Sequence, residues 1–210
     1  MKNTERAQTR KNEILDAAEK LFLEKGYEHT AVSDILSEAG IAKGSLYYHY
    51  KSKEDVLDDI IARVTEQIAV AAQAVADAPS RSVHEKMLHL ISSMNISNSA
   101  QSSMIEELHR PVNALLHQKS IAQTIHIVAP IIAGVVEQGI EEGLYRTPYP
   151  LETVEILLVA GQFIFDEAIF HWTPEESAGR MKAFISLAEC ALGAAPDSFH
   201  FLAGGHIDEQ

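Results

Sequence analysis

The chain has 210 residues, of which 46% are hydrophobic and 22% are charged, and its mean hydropathy is −0.05. This balance is typical of a globular protein and excludes a disordered chain, while no apolar run reaches the roughly 20 residues that a bilayer crossing needs. The charged N-terminus is not followed by the apolar segment and cleavage site of a secretory signal. We therefore expect a cytoplasmic protein that contacts no membrane.

The charges are distributed unevenly along the chain. A net charge of −13 and a pI near 5.1 argue at first against a nucleic-acid partner, because phosphate binding needs Lys and Arg. Residues 1–53, however, carry nine Lys and Arg against eight Asp and Glu, whereas the rest of the chain carries eight against 22. Such asymmetry fits a DNA-contacting head on an acidic body that phosphates would repel.

The first quarter of the chain predicts three short helical segments and the start of a long one. Apolar residues at helical spacing predict a first helix that ends at Gly26, whose conformational freedom suits a helix C-cap. Thr30 is the predicted N-cap of a second helix, which Gly40 ends. A third helix is predicted over residues 43–50, and a capping box at residues 52–55 opens the fourth. Two short helices around a tight glycine turn are the outline of a helix-turn-helix.

The remaining chain also reads as helical, without the period-two alternation of a strand. The fourth helix is predicted to run to about Ala78, before Pro79. The later predicted helices are one from Ser82 to Met94, one that restarts near Met104, one that ends near Glu142, one over 151–170 and one over 174–192. The expected fold class is therefore all-α with about nine helices.

The last two predicted helices, over 151–170 and 174–192, are apolar on more than one face. Such helices must be buried, so a second subunit is the favoured cover, with ordinary core packing as the alternative. Cys190 lies in an apolar helical stretch and is predicted to be a small buried hydrophobe without a redox role. The segment after Pro196 has weak periodicity and two adjacent glycines, which predicts a disordered tail.

The segment from Phe22 to Glu54 carries a specific set of motifs. They are Gly26-Tyr27 after the first helix, Asp34-Ile35 and Ala39-Gly40 around the turn, Lys43-Gly44-Ser45 and Tyr47 in the third helix, and then His49-Tyr50-Lys51-Ser52-Lys53. This segment strongly resembles the DNA-binding segment of the TetR family, whose members commonly carry Phe where Tyr50 stands. The resemblance covers about the first quarter of the chain and implies that the third helix is a recognition helix.

The residue types of this segment suit DNA independently of the resemblance. Small residues at the start of the third helix allow close approach, and lysines on either side can neutralise phosphates. The resemblance assigns DNA contacts to Val32, Ser33, Lys43, Gly44, Ser45, Tyr47, His49 and Lys53, and we expect Leu46 to face the core. The alternative is that Tyr47, Tyr48 and Tyr50 are packing aromatics and that the lysines are merely solvated.

The resemblance further implies a homodimer on a palindromic operator, with a small-molecule effector that tilts the fourth helix. The implied domains are a helix-turn-helix domain over 1–53, a ligand-binding and dimerisation domain over 54–195, and a C-terminal tail over 196–210. The effector is unknown. Flexible or aromatic side chains suited to an apolar site are the candidate lining, although Met and Phe at helical spacing normally fill the core. These candidates are Met87, Met94, Met104, His109, Phe163, Phe170 and Trp172.

Ten histidines raise the question of a metal site. Glu106 and His109 show the Glu-x-x-His spacing of helical di-metal proteins, but such sites need two of these motifs and two further Glu residues. We predict no metal, cofactor or catalytic residue, with His109, His117 and His126 as the residues to test for metal or haem sensing. The sequence also lacks the nucleophile and phosphate-loop motifs that a hydrolase would need. An adaptor without DNA contacts and an activator rather than a repressor are the remaining alternatives.

Overall fold

The computed structural model describes residues 2–94, 113–166 and 169–203. These residues form eight α-helices and one short 3-10 helix, and the described ranges contain no strand, which confirms the all-α prediction. The helix predicted to restart near Met104 begins outside the described residues. The α-helices are α1 Lys2–Lys25, α2 Val32–Glu38, α3 Lys43–His49, α4 Lys53–Ala76, α5 Val83–Met94, α6 Ala114–Glu141, α7 Pro150–Ile164 and α8 Pro174–Leu192, followed by the 3-10 helix His200–Ala203.

Local contacts set several helix ends. Gly26 follows α1 with a φ of +87°, a conformation that favours glycine. At the start of α8, Glu176 N donates to Thr173 Oγ1 at 3.3 Å and Thr173 N donates to Glu176 Oε2 at 2.9 Å. Reciprocal bonds of the same kind join the residues at 52 and 55 and those at 82 and 85. The capping boxes predicted at residues 52–55 and 82–85 are thus confirmed.

The described chain divides into two compact units. The first comprises residues 2–66 and 113–123, and the second comprises 67–94, 124–166 and 169–203. Helices α4 and α6 each contribute residues to both units. The domain limits at residues 53 and 195 stay a prediction.

The core of the second unit is formed by the apolar sides of its helices and by the chain that follows α8. Phe199 and Phe201 are both buried there, and Phe199 N donates to Glu189 Oε1 at 3.1 Å. The prediction of a disordered tail is therefore wrong for residues 196–203, because two aromatic side chains anchor this stretch. Buried members from the helices include Ala72, Val83, Met87, Leu90, Val128, Ile132, Val136, Val154, Ile185 and Leu192.

Three other predictions need correction. Ala31 rather than Thr30 is the N-cap of α2, because the buried Thr30 hydroxyl donates to the carbonyl of Gly26 at 2.8 Å. Helix α7 ends at Ile164 instead of near Phe170. The Trp172 indole N–H donates to the Ile164 carbonyl at 2.9 Å and so satisfies one of the carbonyl acceptors that a helix end leaves unpaired. Cys190 is exposed, since it lies opposite the buried side of α8.

By length and composition, helix α6 is apolar enough to cross a membrane. No other helix in the described part of the chain meets these criteria. The central residues of α6, Val128, Ala129, Ile132 and Val136, are buried in the core of the second unit. Central helices of globular domains meet the same criteria, because a helix that is apolar on most sides can be covered by protein as well as by lipid. The absence of a membrane partner stays a prediction.

Gly193 ends α8 in the left-handed region, with a φ of +62°. A Cβ atom there would lie 2.5 Å from the carbonyl oxygen of Arg146, whose own N–H donates to the Leu192 carbonyl at 2.7 Å. We expect Gly193→Ala to lower the free energy of unfolding by about 2 kcal/mol, from backbone strain and this contact. The change should be visible in a urea titration. Gly179→Ala, on the same helix with open space around its Cβ, should be neutral or stabilising, and equal behaviour of the two variants would contradict the assignment.

Candidate nucleic-acid interface

The recognition helix predicted by the sequence is α3, which spans seven residues in the first unit. Leu46 is its buried residue, as predicted, and Tyr50 follows it as the buried C-cap. Both side chains belong to a core that also contains Phe22, Ile35 and Val56, from α1, α2 and α4. One side of α3 therefore packs in a core that it shares with three other helices.

The opposite side of α3 is open. Lys43 and Gly44 are exposed, and the Tyr47 side chain is 48% exposed with the Lys43 ammonium 5.7 Å from its ring centroid. A Cβ atom at Gly44 would have no neighbour within 4 Å, so the space beside this residue is open. Ser45 and His49 are half-buried beside them. The structure thus brings five predicted contact residues together on one short helix.

Sequence reasoning passed over Tyr48 as a contact residue. Its side chain is 81% exposed, the highest value among the exposed large hydrophobic residues of the described chain. Helical spacing could have found it, because Tyr48 stands four residues after Gly44 and both face outward. Tyr50, by contrast, is a packing aromatic, and burial raises the pKa of its phenol. The alternative of packing aromatics therefore holds for one of the three tyrosines.

The start of α2 carries two further predicted contact residues. Ser33 is exposed and Val32 is half-buried, in the first turn of the helix. Asp34 accepts from the N–H of Ala31 at 3.3 Å and from the Lys25 ammonium at 3.4 Å, which holds this turn against the end of α1. Free N–H groups of a helix start favour an anion such as phosphate.

Lys53 differs from the other predicted phosphate ligands. Its ammonium donates to the carbonyl oxygens of Tyr27 at 2.6 Å and Thr30 at 3.0 Å, and it lies 4.1 Å from the Tyr27 ring centroid. An ammonium has three donors, so one remains for a phosphate. In this structure Lys53 ties the start of α4 to the turn before α2, and its contact with DNA stays a prediction.

The predicted effector residues are only partly brought together. Phe163, Phe170 and Trp172 form an aromatic cluster, with Phe170 and Trp172 stacked at 5.0 Å between centroids and the Arg180 guanidinium 3.3 Å from the Trp172 ring. Met87 is buried in the core of the second unit. Of the others, Met104 and His109 lie outside the described residues, and Met94 closes α5 with its side chain outside the description.

Two further features of the second unit bear on ligands. An open groove of about 400 Å³ is lined by side chains that sequence reasoning did not select. No group of three or more His, Cys, Asp and Glu side chains able to hold a metal occurs in the described part of the chain, where His117 is half-buried and His126 is exposed. The groove is lined by His84, Glu85, Leu88, Asp197, Ser198, His200 and Phe201.

Comparisons with known proteins agree with this geometry. Residues 14–60 match the family model described as bacterial regulatory proteins, tetR family, and residues 95–187 match a Tetracyclin repressor-like C-terminal domain. The HTH-type transcriptional repressor KstR2 of Rhodococcus jostii is 30% identical over 68% of this chain and 71% of its own. The Fatty acid metabolism regulator protein of Bacillus subtilis is 29% identical over 76% of this chain and 81% of its own.

Solved structures show the same fold. SmeT, the repressor of a multidrug efflux pump in Stenotrophomonas maltophilia, has a TM-score of 0.57 at 22% identity and covers 90% of this chain and 92% of its own. A TetR-type protein from Mesorhizobium loti has a TM-score of 0.59 at 18% identity, covering 95% of this chain and 97% of its own. With an N-terminal helix-turn-helix and a C-terminal helical domain, the chain belongs to the TetR family of DNA-binding transcriptional regulators.

Proposed function

We propose that the chain is a ligand-responsive transcriptional repressor that binds a palindromic operator as a homodimer in the cytoplasm. The observation that carries this proposal is the open side of α3, where a lysine, a glycine and two tyrosines face outward from a helix held on its other side by a core. A seven-residue helix of this kind fits the major groove, and its exposed donors can reach base edges and phosphates. The relative KstR2, which is named a transcriptional repressor, supports repression over activation.

A homodimer is supported by an apolar stripe on α7. Ile156, Val159 and Phe163 stand three and four residues apart, so they share one face, and they are 67%, 51% and 54% exposed. Helix α8, which packs against α7, exposes Leu187 as well. Large apolar side chains grouped on a surface mark interaction sites. A second copy of the chain fits this surface, because a palindromic operator has two-fold symmetry and so does a homodimer.

An effector site is proposed at the aromatic cluster of Phe163, Phe170 and Trp172. The cluster combines three aromatic rings with the cationic Arg180, which is a combination suited to a small amphipathic molecule. One solved structure of the repressor SmeT is a complex with triclosan, and one relative is named for fatty acid metabolism. An effector acts by binding the DNA-free conformation more tightly, which lowers operator affinity.

Selection from random DNA duplexes tests the function directly. We expect the full-length chain to enrich an inverted repeat at moderate salt, because two identical half-sites face two identical heads. The enriched complex is then challenged with triclosan and with long-chain fatty acids, and release of the duplex would support an amphipathic effector. Bound pools without any enriched sequence would contradict sequence-specific DNA binding, and a single half-site without a repeat would contradict the dimer.

A further inference from the structure

The start of α4 carries four carboxylates close in sequence to the recognition helix. Glu54, Asp55, Asp58 and Asp59 all lie in its first two turns, and α4 begins four residues after α3 ends at His49. Acidic groups suit a helix N-terminus, where they face the positive end of the helix dipole. The same groups repel DNA phosphates within a Debye length of about 8 Å at physiological salt. A DNA-binding head must therefore offset them.

Each of the four has a partner within the first unit, and for three of them the partner is a lysine ammonium. Asp55 Oδ2 accepts from the backbone N–H of Lys51 at 2.8 Å, which lowers the pKa of this carboxyl, and Asp59 pairs with Lys11 at 2.7 Å. Glu54 and Asp58 share one partner. The ammonium of Lys119 lies 2.8 Å from Glu54 Oε1 and 2.7 Å from Asp58 Oδ1.

Lys119 reaches this cluster from α6, more than 60 residues further along the chain. One turn earlier on the same helix, Leu116 is buried in the core formed with Ile60, Ile61 and Phe22. The two residues thus dock the first turns of α6 onto α4 by an apolar and an ionic contact. The two carboxylates raise the pKa of Lys119 to about 12, so the ammonium is charged at neutral pH.

We propose that Lys119 is a positioning residue for operator binding, which holds the first two turns of α4 and masks Glu54 and Asp58 from the DNA phosphates. The inference rests on the proposed function and adds a residue from α6 to it. Glu54 and Asp58 are four residues apart on one face of α4, so a single ammonium bridges them and fixes that face. Because α3 is joined to α4 by only three residues, the placement of α3 depends on that of α4.

The test is a mutant cycle on the full-length chain with the duplex enriched by selection. We expect Lys119→Met to weaken binding about threefold to tenfold at 50 mM salt and less at 200 mM, because salt screens the exposed carboxylates. Lys119→Arg should retain most of the affinity. In a chain carrying Glu54→Gln and Asp58→Asn, the same Lys119→Met change should have no effect, since the charges that Lys119 masks are gone.

Lys182→Met is the matched control, because it removes one exposed lysine from α8 and alters the net charge equally. It should bind the duplex as the wild-type chain does, and thermal unfolding should show all variants folded. Equal affinity of Lys119→Met and the wild-type chain would overturn the inference. So would the same weakening in the Glu54→Gln, Asp58→Asn background, which would indicate a purely structural role. Failure of the wild-type chain to bind any duplex would instead overturn the proposed function.

Discussion

Tyr47→Ala is expected to abolish operator binding while leaving the protein folded and dimeric. The substitution removes a half-exposed ring and its hydroxyl from the open side of α3, together with the ring that the Lys43 ammonium faces. A specific DNA contact contributes about 1–3 kcal/mol, and a homodimer loses two copies of it, so binding should fall at least about 30-fold. Gel retardation of the selected duplex measures the loss.

Tyr50→Phe is the matched control for this prediction. Tyr50 stands three residues further along, but its ring is buried in the core of the first unit and Phe is common at this position in the family. Its loss of one hydroxyl should leave operator affinity within about twofold, because a buried phenol without a DNA contact adds little to binding. Undiminished retardation by Tyr47→Ala would remove Tyr47 from the interface, and equal losses for both variants would point to damage of the fold.

Ile156→Asp is expected to split the proposed homodimer. Ile156 is the most exposed member of the stripe on α7, at 67%, and the two-fold symmetry of a homodimer would bury two new carboxylates at once. An unpaired buried charge costs several kcal/mol, which is enough to dissociate most interfaces at micromolar concentration. Light scattering should then report a mass near 23.1 kDa instead of twice that value.

Val70→Asp provides the control for the dimer, because Val70 on α4 has the same exposed fraction of 67% and the same change of charge. It should leave the mass unchanged. Operator affinity should fall sharply for Ile156→Asp alone, since a monomer can occupy only one half-site at a time. A dimeric Ile156→Asp protein would place the interface elsewhere, and dissociation of Val70→Asp would place it on α4.

The sequence by itself determined the features that depend on neighbours within one helical turn. The capping boxes at residues 52–55 and 82–85 and the glycine after α1 were predicted because both partners of each contact lie three or four residues apart or within one backbone turn. Helical periodicity likewise placed Leu46 in the core. The TetR resemblance likewise rested on neighbouring residues, those from Phe22 to Glu54.

Only the tertiary structure decided features whose partners are distant in the chain. The Lys53 ammonium donates to carbonyls more than 20 residues away in the sequence. The ion pairs of Lys119 with Glu54 and Asp58 join residues more than 60 positions apart. The exposure of Cys190 and the burial of Phe199 depend on which side of α8 other segments cover. Composition and periodicity indicate whether a side chain suits the core or the surface, but long-range packing decides where it lies. Contacts between distant residues carry a cost in loop-closure entropy, and only the assembled fold provides enough of them to offset it.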